Sequence, residues 1–159
     1  MHFAQSFPLG TVRLLERFPP SDPPQKAEWE ASRDWVGSFL REQVRPRLEP
    51  ALKSETGEIQ LVGTGGTTSI LARIEKQLTS FDREQIERTG LTFDQVAAHR
   101  QQLWRLPLAK RKEIIGLPRQ RADVILTGVL IYELVMEEFG FETLRVSTRG
   151  LRFAAVMDA

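Results

Sequence analysis

The stretch LVGTGGTTSI, residues 61–70, ends an apolar run with three glycines in four positions and returns at once to aliphatic residues. Glycine loses more conformational freedom on folding than any other residue, so three together need a backbone reason. Three reasons stand open: a tight turn, a close packing contact, or an anion held against bare backbone. The run after Gly57, GEIQLVG (57–63), reads as a short buried strand. Ile70, Leu71, Ile74 and Leu78 follow at helical spacing. A strand that feeds a helix through a glycine loop points amides at one spot, where the helix dipole adds partial positive charge. Gly63, Thr64, Gly65, Gly66, Thr67 and Thr68 are therefore the candidate phosphate- or nucleotide-binding residues, with the threonine hydroxyls as further donors. The loop is neither a P-loop nor Gly-x-Gly-x-x-Gly, and a purely structural turn fits it equally well.

Around this unit the chain alternates further elements. HFAQSFPLGTVRLLERF alternates Phe3, Gln5 and Phe7 and resumes with Val12 and Leu14, which predicts one or two strands bent near Pro8–Gly10. PPSDPP (19–24) is a rigid connector in which Asp22 can cap, and Pro23 or Pro24 can open, the next helix. Trp29, Val36, Leu40 and Val44 mark that helix, and Pro46 and Pro50 predict a kink or a short extra turn. Thr92 and Gln95 have capping-box spacing ahead of Val96, Arg100 and Leu103. Residues 107–120 predict a short helix and a loop, with Lys110, Arg111 and Lys112 on a solvated face. Ala122, Ile125, Val129, Tyr132, Met136 and Phe139 form the stripe of a largely buried helix closed by Gly140. FETLRVST then reads as a strand, and RGLRFAAVM as a turn into a last short helix. This order predicts an α/β layered domain with a thin sheet for its helices.

The composition narrows the function classes. A net charge of +1 supplies no global attraction to nucleic acid or an anionic membrane, so any anion must be held locally. The absence of cysteine excludes disulfides, thiolate metal sites and a thiol nucleophile, and fits a cytoplasmic protein. MHFAQSFPLG lacks the pattern of a signal peptide, and no apolar run is long enough to span a bilayer. No spacing justifies a Ser/His/Asp or paired-carboxylate centre.

Two further clusters accompany the glycine loop. In GLPRQRADVILTG (116–128), Arg121 and Asp123 sit at the start of the buried helix, where they could face a ligand or make a cap or interhelix ion pair. In STRGLR (147–152), Gly150 makes a turn, and Arg149 or Arg152 could face an anion or be solvated.

Taken together, SFPLGTVRLLERF with SDPP, LVGTGGTTSILA, LPLAKRKEIIGLPRQRADVILTGVLIYELVM and VSTRGLR resemble the exopolyphosphatase / guanosine pentaphosphate phosphohydrolase family of the actin-like ATPase superfamily. The resemblance covers nearly the whole chain, and Leu106–Met136 is its most specific part. It implies a ribonuclease H-like lobe, a mixed sheet flanked by helices, with residues 1–159 forming the second lobe of the core and lacking its first strands. In the family the first lobe carries the phosphate loop and a glutamate that activates water against the terminal phosphoryl group. The cleft between lobes takes polyphosphate or a guanosine polyphosphate with magnesium. The resemblance turns Gly63–Thr67 toward that cleft, with Arg121, Asp123 and Arg152 as possible cleft residues. Gly150, Leu151 and Arg152 match the family's Gly-Leu-Arg, whereas Phe153 and Ala154 stand where many members have Glu-Gly or Tyr-Gly. The expectation is a phosphate-binding lobe with weak or no hydrolysis alone. The alternatives are a stand-alone polyphosphate- or ppGpp-binding regulatory module, or a sugar- or acetate-kinase-like half. Missing first strands leave a sheet edge open, which predicts a homodimer or a swapped N-terminal segment.

Overall fold

Residues 4–150 are described by the computed structural model of the chain. The helix with the strongest apolar stripe organises the rest. This is α8 (Ile125–Phe139), and Ile125, Leu126, Val129, Leu130, Leu134 and Met136 are buried in it. It ends at Gly140, whose φ of 72° is the left-handed cap conformation the sequence predicts.

Against α8 pack α1 (Thr11–Arg17), α2 (Lys26–Phe39), α4 (Gly66–Glu75) and α6 (Phe93–Arg105). Between α2 and α3 (Arg45–Ser54) the chain makes a π-turn over Leu40–Val44, where the Arg45 amide donates to the Leu40 carbonyl. The proline at position 46 lacks a donor, and the widened turn lets the helix change course while Leu40 and Val44 stay buried. Two short pieces, α5 (Arg83–Glu87) and α7 (Leu108–Arg111), and a 3-10 turn at Arg119–Arg121 complete the helical layer.

The sheet is mixed and three-stranded. β3 (Thr143–Ser147) is central, paired in parallel with β1 (Leu61–Thr64) and antiparallel with β2 (Gly90–Thr92). One face, carrying Gly63, Leu91, Leu144 and Val146, is buried; the other exposes Val62 and Arg145. This is the helix-flanked, thin mixed sheet expected of the lobe.

Several local expectations are corrected. Thr11–Arg17 is a helix, not a strand, because two Leu, two Arg and a Glu favour helix once Gly10 provides the start. Asp22 does not cap α2; Gln25 does, in a capping box with Glu28, while the Asp22 carboxylate accepts from the Leu108 amide at 2.7 Å. The strand predicted over 57–63 begins only at Leu61, and it is an edge strand with Val62 52% exposed rather than a buried one. β2 escaped prediction because three residues cannot display alternation. Arg111 is buried, not solvated. The last predicted helix lies outside the described residues.

Candidate functional site

The glycine loop joins β1 to α4, and its three glycines do different jobs. Gly63 is buried where three elements meet. A Cβ there would lie 2.4 Å from Thr68 Cγ2, 2.9 Å from Leu144 Cδ1 and 3.1 Å from Tyr132 Cε1. Gly65 holds φ 99° and ψ −165°, a region that essentially only glycine occupies. Gly66 begins the helix. A Cβ on either Gly65 or Gly66 would meet nothing within 4 Å, so bare backbone faces open space at both.

Behind this opening the loop is braced. Thr68 is fully buried, and its hydroxyl donates to the Gly65 carbonyl at 3.3 Å, which also accepts from the Ser69 amide. Tyr132, on α8, reaches the Thr64 carbonyl with its hydroxyl at 3.5 Å, and burial pushes its phenol above the ordinary value. Thr67 rests on Gly128 of α8; a Cβ on Gly128 would sit 2.5 Å from Thr67 Oγ1 and 3.2 Å from Thr11 Cγ2. Gly128 thus lets the start of α4 and the start of α1 approach the same turn of α8.

The first amides of a helix have no intrahelical acceptor, and no side chain caps α4. These donors, with the exposed Thr64 and the half-buried Thr67, can hold an anion with little reorganisation. No carboxylate hydrogen-bonds to the loop among the described residues.

The other predicted residues stand apart. Arg121 is exposed, and its guanidinium makes no hydrogen bond or ion pair among the described residues. Asp123 accepts from the Val124 amide at 2.7 Å and acts electrostatically on Arg111. No hydrogen bond or ion pair joins either residue to the glycine loop. Arg152 lies outside the described residues, and Arg149 pairs with Glu87 at 3.9 Å.

Arg111 ties this region to the fold. It donates to the carbonyls of Ala122 and Leu106 at 2.8 and 2.7 Å, clamping the loop that leads into α8. Burial draws its guanidinium below the ordinary value, and Asp22 and Asp123 offset part of that.

Sequence reasoning assigned Tyr132 to the core and passed over Gly128. The signal was present in the second case: an interior helical glycine costs about 1 kcal/mol relative to alanine and calls for a packing reason.

The chain is similar to several known proteins. A model described as the Ppx/GppA phosphatase family matches residues 1–158. Exopolyphosphatase 2 of Mycobacterium tuberculosis is 30% identical over 149 residues, covering 90% of this chain and 44% of the relative. The bifunctional 3-dehydroquinate synthase/phosphatase of Fusobacterium nucleatum is 26% identical over 156 residues, covering 96% of this chain and 22% of the relative. A crystal structure of the Aquifex aeolicus Ppx/GppA phosphatase superposes with a TM-score of 0.82 at 27% identity, covering 97% of this chain and 48% of that one. The chain therefore spans less than half the length of these relatives.

Proposed function

The chain belongs to the Ppx/GppA phosphatase family, and on that premise we propose that it is the phosphate-holding lobe of a phosphoanhydride hydrolase acting on inorganic polyphosphate or guanosine pentaphosphate. The observation that carries this reading is the open backbone at Gly65 and Gly66, set at an uncapped helix start and buttressed by Gly63, Thr68 and Tyr132. Thr64, Gly65, Gly66 and Thr67 contact the phosphates in this reading; Gly63 and Thr68 shape the loop from behind. Arg121 would reach phosphate only from its periphery, with Asp123 fixing the turn beside it.

The chain's own chemistry is binding and charge neutralisation. Oriented amides stabilise negative charge on phosphoryl oxygens without moving. No residue of the loop can deprotonate water, and in this reading the general base comes from the first lobe that the family resemblance implies. Magnesium is the family's expected ion. Among the described residues no group of three His, Asp or Glu side chains could hold one, so no metal-dependent step is assigned to this chain. The outer edge of β1 is unpaired among the described residues. In this reading it receives a strand from the remainder of a longer hydrolase or from a second copy.

The test uses Gly66→Ala. Its Cβ enters open space, so the fold is kept, while the methyl group stands where phosphate must approach. Calorimetry with short-chain polyphosphate and with guanosine pentaphosphate is expected to show binding by the natural chain. Gly66→Ala should bind at least about tenfold more weakly, roughly the worth of one charge-assisted hydrogen bond. Phosphate release by the chain alone should stay at background. Equal binding by the two proteins would refute the site, and robust hydrolysis by the chain would refute the division of labour.

A further inference from the structure

On the side of α8 where α2 and α6 meet lies a cleft of about 500 Å³, within the size range of small-ligand sites. None of the residues forming it belongs to the glycine loop. Its walls carry Trp29, Trp104, Lys26, Arg100 and Arg105, and no carboxylate lines it. Arg100 is held in place: Glu133 takes it in two bonds of 2.8 and 2.9 Å, and its guanidinium lies 4.6 Å from the Trp29 ring centroid. Trp104 is anchored by its indole N–H on the Leu126 carbonyl. Trp104 is only 6% exposed, so the accessible wall is mainly Trp29 with its stacked Arg100, both held in place. Arg105 is exposed and makes no ion pair among the described residues, and Lys26 has only an exposed partner, Glu30 at 3.2 Å. The Trp29 indole N–H is buried without an acceptor, a state that native proteins rarely leave unexplained.

Aromatic surface, spare positive charge at the rim and the amide side chain of Gln101 describe one ligand chemistry. We propose that this cleft is a second binding site, independent of the glycine loop, for a small organic anion carrying an aromatic ring. The ring packs against the tryptophan and stacked-arginine walls, and the anionic group meets Arg105 and Lys26. A nucleotide and an aromatic carboxylate share this chemistry.

The experiment follows the indole N–H resonances of Trp29, Trp35 and Trp104 in the ¹⁵N-labelled chain, titrated with AMP, benzoate or inorganic phosphate. AMP or benzoate should shift Trp29 and Trp104 saturably and leave Trp35 in place; which one binds more tightly separates the phosphate-bearing from the carboxylate-bearing source. Lys26→Glu with Arg105→Glu, both exposed positions, should weaken binding at least tenfold, and Gly66→Ala should leave it unchanged. The proposal is overturned if neither organic anion shifts the two resonances at ~10 mM, beyond the millimolar range of weak specific binding. It also fails if inorganic phosphate alone shifts them as far, or if the charge-reversed variant binds as well.

Discussion

Gly63→Ala tests whether the loop is held by packing. The new methyl would meet Thr68 Cγ2 at 2.4 Å, Leu144 Cδ1 at 2.9 Å and Tyr132 Cε1 at 3.1 Å, contacts from α4, β3 and α8. Ordinary carbon contacts begin near ~3.5 Å. Leu144 is fully buried at the centre of the sheet and cannot withdraw without opening the core. Thr68 is the softest of the three, yet rotating its methyl away also rotates its hydroxyl off the Gly65 carbonyl. Overpacking of this kind costs about 1–3 kcal/mol, and the lost buried hydrogen bond adds about 1 kcal/mol. The expected loss is therefore about 2–4 kcal/mol, or roughly 4–16 °C in Tm for a domain of this size. Chemical denaturation of the natural chain, Gly63→Ala and Gly66→Ala measures it. Gly66→Ala should stay within ~0.5 kcal/mol of the natural chain, as for a surface change away from special features. A Gly63→Ala loss below ~1 kcal/mol would refute the packing argument, because the loop would then have room to yield.

Other outcomes can be stated from the same structure. Glu133→Ala strands Arg100 between α6 and α8 beside Trp29, and should cost about 3 kcal/mol or more in denaturant unfolding. Tyr132 has its phenol pKa raised by burial, so unfolding releases its proton more easily; stability should fall as pH rises past about 10, and Tyr132→Phe should flatten that limb in pH-dependent melts. Light scattering at high concentration should find a dimer joined along the outer edge of β1, and a persistent monomer would count against self-pairing there.

What could be read from the residues divides by how far apart the deciding partners lie. The Thr92–Gln95 capping box, the Gly140 cap and the α8 stripe each depend on neighbours within a turn or two, and each was legible. The π-turn was legible as a kink from Pro46, whereas Pro50, also expected to break the helix, sits inside an uninterrupted α3. The start of the chain misled in part: Val12 and Leu14 read as a strand, whereas a helix begins after Gly10 and packs on α8. The candidate loop was legible as a loop but not in its division of labour. Gly63 and Gly66 look alike in sequence; only Tyr132 and Leu144, contributed by α8 and β3, make one a packing glycine and leave the other open. Arg100 shares a helix face with Val96 and Leu103, and its partner, Glu133, comes from α8, far away in the sequence.

The order of the sheet has a consequence for synthesis. β3 is the last described strand in the chain and the middle one in space, and neither β1 nor β2 touches the other. As the polypeptide is made, the helices up to α8 can begin to pack, but both outer strands must wait with their backbone groups unpaired until Thr143–Ser147 emerges. The glycine loop hangs from one of those waiting strands, so it takes its shape only in the closing act of folding. A chain halted before Thr143 would carry the glycine motif in full and still lack the strand and the Leu144 side chain that pack against Gly63.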